Sequence, residues 1–548
     1  MKNKKLIIAF FAIFYLVALF TRIYWVNQKE GLYVDETLTV IISCYNDYAY
    51  LKNYELNKFQ SGKEIKEMTL CDDATVKGAI KDIWHLYKDN RDHPHTNFYY
   101  SFFRLAVIGL QTGDIKPIII RGAILNLFFW TVSFIFFFLL IKLIFKDDFI
   151  SLVATFCTFM STATISNSLF LRPYQLQETI FIIFAYAIFK IIDKTKIIQS
   201  ENKSFININF KILIPISIIT ALTLLTGYYA IIYILIFGLF ICWYNKIDNN
   251  FDKQSIKREI IFYSIVLLLG FLVAQSLYTR YYTGYLIGRA IGTLEIVAGN
   301  LEGVSGGNVF YNLYISFLAP FKILFKHYFN IYVCGALAAL LLYCLFTVKE
   351  KSKILKTITV KNIGLFVIAL AFIFIIMFVA PYKILRYIMP VIPFLIILFI
   401  VLLQLIKKNN YKIFFAILML IAFTFSAFNE ENIEYLMKNK SAEFKFINEP
   451  NLPVLIINVD EHWRYVDMVP YFADDQKYIF AESIESGINL LKDYAEFTVV
   501  IEEDLVSENR AKSINSNAEL KVLSEYNAGY NPDVNLFYFR CFRIKREE

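Results

Sequence analysis

Residues 6–37 read LIIAFFAIFYLVALFTRIYWVNQKEGLYVDET, and the change of character inside this stretch decides the fold. Residues 6–26 are almost wholly apolar, long enough for a helix to cross a hydrocarbon layer of ~30 Å. A secretory leader would have a shorter apolar region and a small-residue cleavage site. This one instead runs on into Arg22, Tyr24 and Trp25, residue types that favour a membrane interface. After Met1-Lys-Asn-Lys-Lys5 the reading is an uncleaved helix that begins on the cytoplasmic side. The chain then turns polar and presents adjacent acids, Asp35-Glu36, ahead of the apolar 37–43. Paired carboxylates at the lip of a bilayer are costly unless solvated or paired. They read either as the acidic first turn of a helix or as a general base with a positioning acid.

The rest of the chain continues this pattern. Of its 548 residues 57% are hydrophobic and 19% charged, which excludes a soluble multi-domain enzyme, a disordered chain and a fibrous repeat. Ten more apolar stretches follow, at 118–144, 149–170, 175–192, 212–227, 228–245, 260–278, 329–348, 362–380, 387–406 and 412–428, giving about eleven spans. The pair 212–227 and 228–245 also reads as one long buried apolar run, and 98–112 as a helix lying at the interface. With the start inside, the short connecting loops on the cytoplasmic side are rich in Lys and Arg, and the short outer connections hold only Arg172, Lys383 and Arg386. The expected fold is therefore a polytopic α-helical membrane protein. Its transmembrane domain is 1–428, with long outer loops 27–117 and 279–328, followed by a small extracytoplasmic α/β domain, 429–548.

Charge divides along the same boundary. Residues 429–548 hold 23 acids and 13 bases, and residues 1–428 hold 24 acids and 42 bases, within an overall +8. The basic excess belongs to the membrane region and reports loop orientation and contact with anionic lipid. No nucleic-acid motif accompanies it. In the tail, short β-rich runs at 454–459, 497–501 and 536–540 surround a helical-looking 482–495. Asp460-Glu-His462 reads as polar residues at a strand end. Seven Cys (44, 71, 157, 242, 334, 344, 541) form no CxxC pair; Cys44 and Cys71 share one loop and are a candidate disulfide.

The unusual polar residues all fall on the outer face. After Asp35-Glu36 comes Arg91-Asp92-His93-Pro94-His95-Thr96, before the aromatic run Asn97-Phe-Tyr-Tyr100. The third cluster is Phe170-Leu-Arg172-Pro173-Tyr174-Gln-Leu-Gln177-Glu178, and the fourth Pro381-Tyr382-Lys383-Ile-Leu-Arg386-Tyr387-Ile-Met-Pro390-Val-Ile-Pro393. Arg and Lys beside Tyr can simply snorkel to the interface. The orientation rule makes that less comfortable here, and the other reading is that Arg172, Lys383 and Arg386 bind a phosphate at the membrane surface. Two His flanking a Pro do not share a helix face as zinc ligands do.

Four clusters in this order resemble the GT-C glycosyltransferases of the protein O-mannosyltransferase type, which include the aminoarabinose lipid A transferases. The matching elements are Asp35-Glu36, His93-Pro94, Arg172-Pro173-Tyr174, and Arg386-Tyr387 with Pro390 and Pro393. Leu224-Leu-Thr226-Gly227-Tyr228-Tyr229 is similar to a further turn of that family. The resemblance covers roughly residues 5–405. It implies an inverting transfer of a sugar from a polyprenyl-phosphate donor to an acceptor hydroxyl or phosphate of a protein, lipid or cell-surface glycan. It further implies Asp35 as the base, Glu36 shaping the pocket, and Arg172, Tyr174, Lys383 and Arg386 holding the donor phosphate. His93, His95 and Tyr387 would position the acceptor or the loop, and 279–328 would cover the site. Relatives of this branch generally do without a divalent metal, so no cofactor is required and a metal site is not indicated. Gly227 replaces a family His, and Leu38 an Arg of the aminoarabinose transferases, which leaves sugar and acceptor open. The competing class is a lipid or glycan transporter, which places charged groups near the membrane midplane.

Overall fold

The computed structural model describes residues 2–45, 55–70, 73–90, 95–110, 115–200, 210–247, 252–302, 309–347, 358–457, 462–502, 520–531 and 536–547. Among them seven helices are long and apolar enough to cross a membrane: Lys4–Gln28, Ile115–Phe145, Tyr174–Asp193, Ala230–Ile247, Lys253–Leu277, Val360–Val379 and Asn409–Ala427. Two further pairs, Asp148–Phe159 with Thr162–Leu169 and Tyr314–His327 with Ile331–Thr347, are bent by 59° and 98°. The chain is an integral membrane protein. Many of its large apolar side chains point outward, Phe20, Leu239, Leu268, Phe346 and Phe425 among them, which only a lipid surround accommodates.

The number of crossings is seven to nine among the described residues, where eleven were expected. Each expected stretch falls on helix, but four are not single long helices. At Ser161 the hydroxyl accepts from Thr164 N, starting a new helix after Met160 and bending the third stretch. Asn330 does the same for Val333 N at 3.3 Å. The apolar helix at 211–224 carries Pro215 within it. At Pro390 and Pro393 two amide hydrogens are missing, and Met389–Ile396 winds as a tight 3-10 helix before Ile397–Leu405 continues as α. The stretch 98–112 holds the helix Phe98–Ala106.

The chain divides into two compact units. The first comprises 1–25, 87–99 and 123–434, and its interior is packed by rings. Phe181 stacks on Tyr233 with centroids 3.9 Å apart. The Tyr233 hydroxyl donates to Phe181 O at 2.9 Å, and Phe372 meets both rings edge-on.

The second unit comprises 26–86, 100–122 and 435–548, so most of the first outer loop belongs to the same body as the tail. It is built on a six-stranded sheet of β1 (Phe59–Ser61), β2 (Val454–Ile457), β3 (Lys477–Ala481), β4 (Glu496–Glu502), β5 (Leu520–Asn531) and β6 (Leu536–Arg546), ordered β1-β3-β2-β4-β6-β5. The central β2 runs parallel to β3 and β4; the other pairings are antiparallel. A parallel centre is covered on both faces, and every residue of β2 is buried. Leu455, Ile479, Val499 and Phe542 lie in register across it. The helix Ile484–Leu490 packs on one face through Ile484 and Ile488.

Candidate functional site

In the second unit Asp35 and Glu36 occupy the first turn of the helix Val34–Ser43, where carboxylates meet its free amide ends. Their environments differ. Glu36 is fully buried and its Oε2 accepts from Tyr33 N at 2.7 Å and from the Lys29 ammonium at 2.9 Å. Lys29 is equally buried and also donates to the carbonyl of Tyr435. Burial pulls the Lys29 ammonium below its ordinary value, and the Glu36 charge opposes the shift. Glu36 is thus committed to a buried ion pair, whereas Asp35 is only half-buried.

A second buried pair lies in the same unit. The Lys440 ammonium reaches Asp467 Oδ2 at 2.7 Å, both side chains 1% exposed. Asp467 Oδ1 is buried with no hydrogen-bond partner among the described residues. Burial raises this carboxyl above its ordinary value; Lys440 opposes the shift and the charge of Asp35 adds to it. Neither pair was foreseen from the sequence. Lys29 stands at the end of a span like any interfacial lysine, and Lys440 and Asp467 carry no motif. A basic residue seven positions before a carboxylate was the one available signal.

In the first unit the turn Phe170–Pro173 joins the helices Thr162–Leu169 and Tyr174–Ser200. Asn126 donates to Ser168 O and Phe170 O at 3.3 and 2.8 Å, and itself accepts from the Tyr99 hydroxyl at 3.0 Å. So held, Arg172 is 4% exposed, and its Nη2 lies 3.3–3.4 Å from the ring nitrogens of His95. A guanidinium has donors only, so any hydrogen bond in this contact is donated by Arg172. The His95 carbonyl accepts from Asn90 at 3.0 Å, and Asn90 N donates to the Tyr278 hydroxyl at 3.2 Å.

Aromatic rings link this turn to the others. Tyr174 stacks on Phe170 at 5.8 Å and meets Tyr387 at 6.4 Å. Tyr387 meets Tyr229 at 5.7 Å, and the Arg386 guanidinium lies 5.4 Å from the Tyr387 ring. Arg386 is 9% exposed. The structure therefore brings together His95, Arg172, Tyr174, Arg386 and Tyr387, and adds Tyr229. Lys383 has a local partner instead: half-buried, it donates to Ala380 O at 2.9 Å, and burial lowers its ammonium from the ordinary value.

Behind the turn, Glu178 accepts from Gln175 at 2.9 Å and Asn167 at 3.0 Å. Arg22 is wholly buried, donating to Ala18 O at 3.2 Å with its guanidinium 4.3 Å from the Trp130 ring. His93, Cys71, 303–307 and Asp460-Glu461 lie outside the described residues. Among the described residues no three His, Cys, Asp or Glu side chains gather as a metal site would.

No protein-family model matches the chain, and no curated protein matches it. Among solved structures it is similar to two crystal structures of ArnT from Cupriavidus metallidurans, one apo and one bound to undecaprenyl phosphate. The identities are 11% and 10%, the TM-score is 0.45 in both, and each match covers 97% of this chain and 97% of that chain. A likeness this distant carries no chemical argument, which rests on the chain's own residues.

Proposed function

We propose that this chain is a glycosyltransferase that moves a sugar from a polyprenyl-phosphate donor to an acceptor on the outer face of the membrane. The observation that carries the reading is the pair of buried guanidinium groups, Arg172 and Arg386, gathered with Tyr174, Tyr229, Tyr387 and His95 at helix turns. Buried arginines at outer turns oppose the orientation rule, and a guanidinium fork matches a phosphate in geometry and charge.

In the proposed reaction the acceptor oxygen attacks the anomeric carbon and the bond from that carbon to the phosphate oxygen breaks. Asp35 takes the acceptor proton, and polyprenyl phosphate leaves. One such displacement inverts the anomeric centre. Negative charge grows on the departing phosphate, where fixed guanidinium donors stabilise the transition state most. Asp35 is the better base of the two acids because Glu36 already holds Lys29. The chain's start would lie in the cytoplasm, and 429–548 outside.

A transporter would need charges at the centre of its spans. The buried Arg22, Glu178 and Glu259 all lie within two turns of an end of their helices, Lys2–Gln28, Tyr174–Ser200 and Lys253–Leu277. Purified protein in lipid nanodiscs, given a polyprenyl-phosphate sugar, should release free polyprenyl phosphate detectable by mass spectrometry. Asp35→Asn should lower this by about 100-fold or more at unchanged melting temperature. Arg172→Gln should weaken donor binding by about tenfold or more. Accumulation of intact donor on one side, without a new glycosidic bond, would overturn the reading.

A further inference from the structure

The segment Lys29–Glu36, which presents Asp35, is held along its length by the chain between Tyr435 and Tyr471. Glu30 N donates to Leu436 O at 3.0 Å. Leu32 N donates to the Tyr471 hydroxyl at 2.9 Å. Asn439 N donates to the Glu30 carboxylate at 2.9 Å, and Lys29 to the Tyr435 carbonyl. Gly31 lies so close that an added Cβ would stand 2.6 Å from Lys440 Cβ and 2.6 Å from the Tyr471 hydroxyl. Lys440 is fixed in turn by Asp467 at 2.7 Å and Glu443 at 3.6 Å.

Two features set these contacts apart from ordinary packing. Tyr435, Met437 and Asn439 all adopt left-handed backbone, with φ of 66°, 49° and 66°. A bulky residue enters that region only when its surroundings over-determine it. The Lys440–Asp467 pair is buried, and a buried pair adds little net stability while fixing geometry. None of these residues lies on a strand of the sheet. Strain and buried charge are thus concentrated on the stretch that touches the loop before Asp35.

We propose that Tyr435–Lys440, together with Asp467 and Tyr471, is a positioning clamp for the Asp35 carboxylate, with Gly31, Lys440, Asp467 and Tyr471 as positioning residues. The inference rests on reading Asp35 as the base. It assigns this part of the tail a role in the reaction rather than in docking an acceptor. A base displaced by about 1 Å loses rate by about 100-fold while substrate binding stays.

The test uses the full chain in nanodiscs, with Tyr471→Phe, Gly31→Ala and a control at exposed Lys492→Ala. Hydrogen exchange over residues 29–36 is followed by mass spectrometry, and kcat and KM for a polyprenyl-phosphate sugar are measured. Tyr471→Phe removes the acceptor of Leu32 N–H, so exchange should quicken by about 3- to 10-fold. Its kcat should fall about 5- to 20-fold with KM within about twofold, and Gly31→Ala should lose more. Lys492→Ala should match wild type. Unchanged exchange, or a lower melting temperature with unchanged kcat, would overturn the clamp. If wild type transfers no sugar, the proposed function falls and exchange alone decides: faster exchange in both variants supports the clamp, and unchanged exchange sinks it.

Discussion

Lys29 and Glu36 bury a full positive and a full negative charge 2.9 Å apart. Removing one partner leaves the other buried and unpaired, so Lys29→Met should destabilise the second unit by about 3–5 kcal/mol. Lys29→Met with Glu36→Leu should recover most of that, as thermal melting of the purified protein would register. A double variant no better than the single would show the pair is not coupled. At this scale the sequence singled out single residues in both units, Asp35 and Glu36 in one and Arg172 and Arg386 in the other, but not the partners of buried charges. Arg172 and Arg386 stand out because the orientation rule fails to explain them. Asp467 does not stand out, because its partner Lys440 is 27 residues away in a tail with no recognisable motif. Charge pairing across folded chain leaves no local trace.

Between residue and molecule, the connection after the last long apolar helix carries a partly buried charged cluster. His327 Nδ1 faces Asn432 O at 3.0 Å, and its Nε2 faces Glu434 at 3.2 Å. Burial would raise the Glu434 carboxyl, but hydrogen bonds and charge from His327 and Lys326 outweigh it and hold it from its ordinary 4.5 down to about 2. A depressed carboxyl contributes stability above its unfolded pKa and loses it as pH falls through the folded one. Stability on the order of 2–3 kcal/mol should therefore disappear between about pH 4.5 and pH 2. Glu434→Gln should lack that loss in a pH series of melting curves; an unaltered acid limb would refute the assignment. Long helices were legible from hydropathy alone. The break at Ser161 was not, because a cap inside an apolar run barely changes its mean hydropathy.

At the level of the whole chain, the sheet joins residues that sequence reading had divided. Runs at 454–459, 497–501 and 536–540 were legible as strands because the first two are rich in β-branched residues and the third in aromatic ones. β1 is three residues long and polar at two of them, and β5 is largely exposed at its described side chains, so neither announces itself. Because β1 pairs with β3 and the 29–36 segment rests on 435–471, removing residues 429–548 should unfold the first outer loop rather than leave an intact membrane core. Limited proteolysis should then cut between 46 and 70 at least about tenfold faster than in the full chain. Equal cleavage rates would show that the loop folds without the tail.

That pairing also sets a timetable for synthesis. Ser61 sits opposite Lys477, so roughly 400 residues must leave the ribosome before the early strand meets its neighbour. At about 5–20 residues per second this is a wait of about 20–80 s. Throughout it, the loop bearing Asp35 lacks the sheet edge and the tail that later enclose it. A newborn chain therefore passes through a window in which its early loop is open to proteases and aggregation, and any chaperone that serves this protein has that interval in which to act.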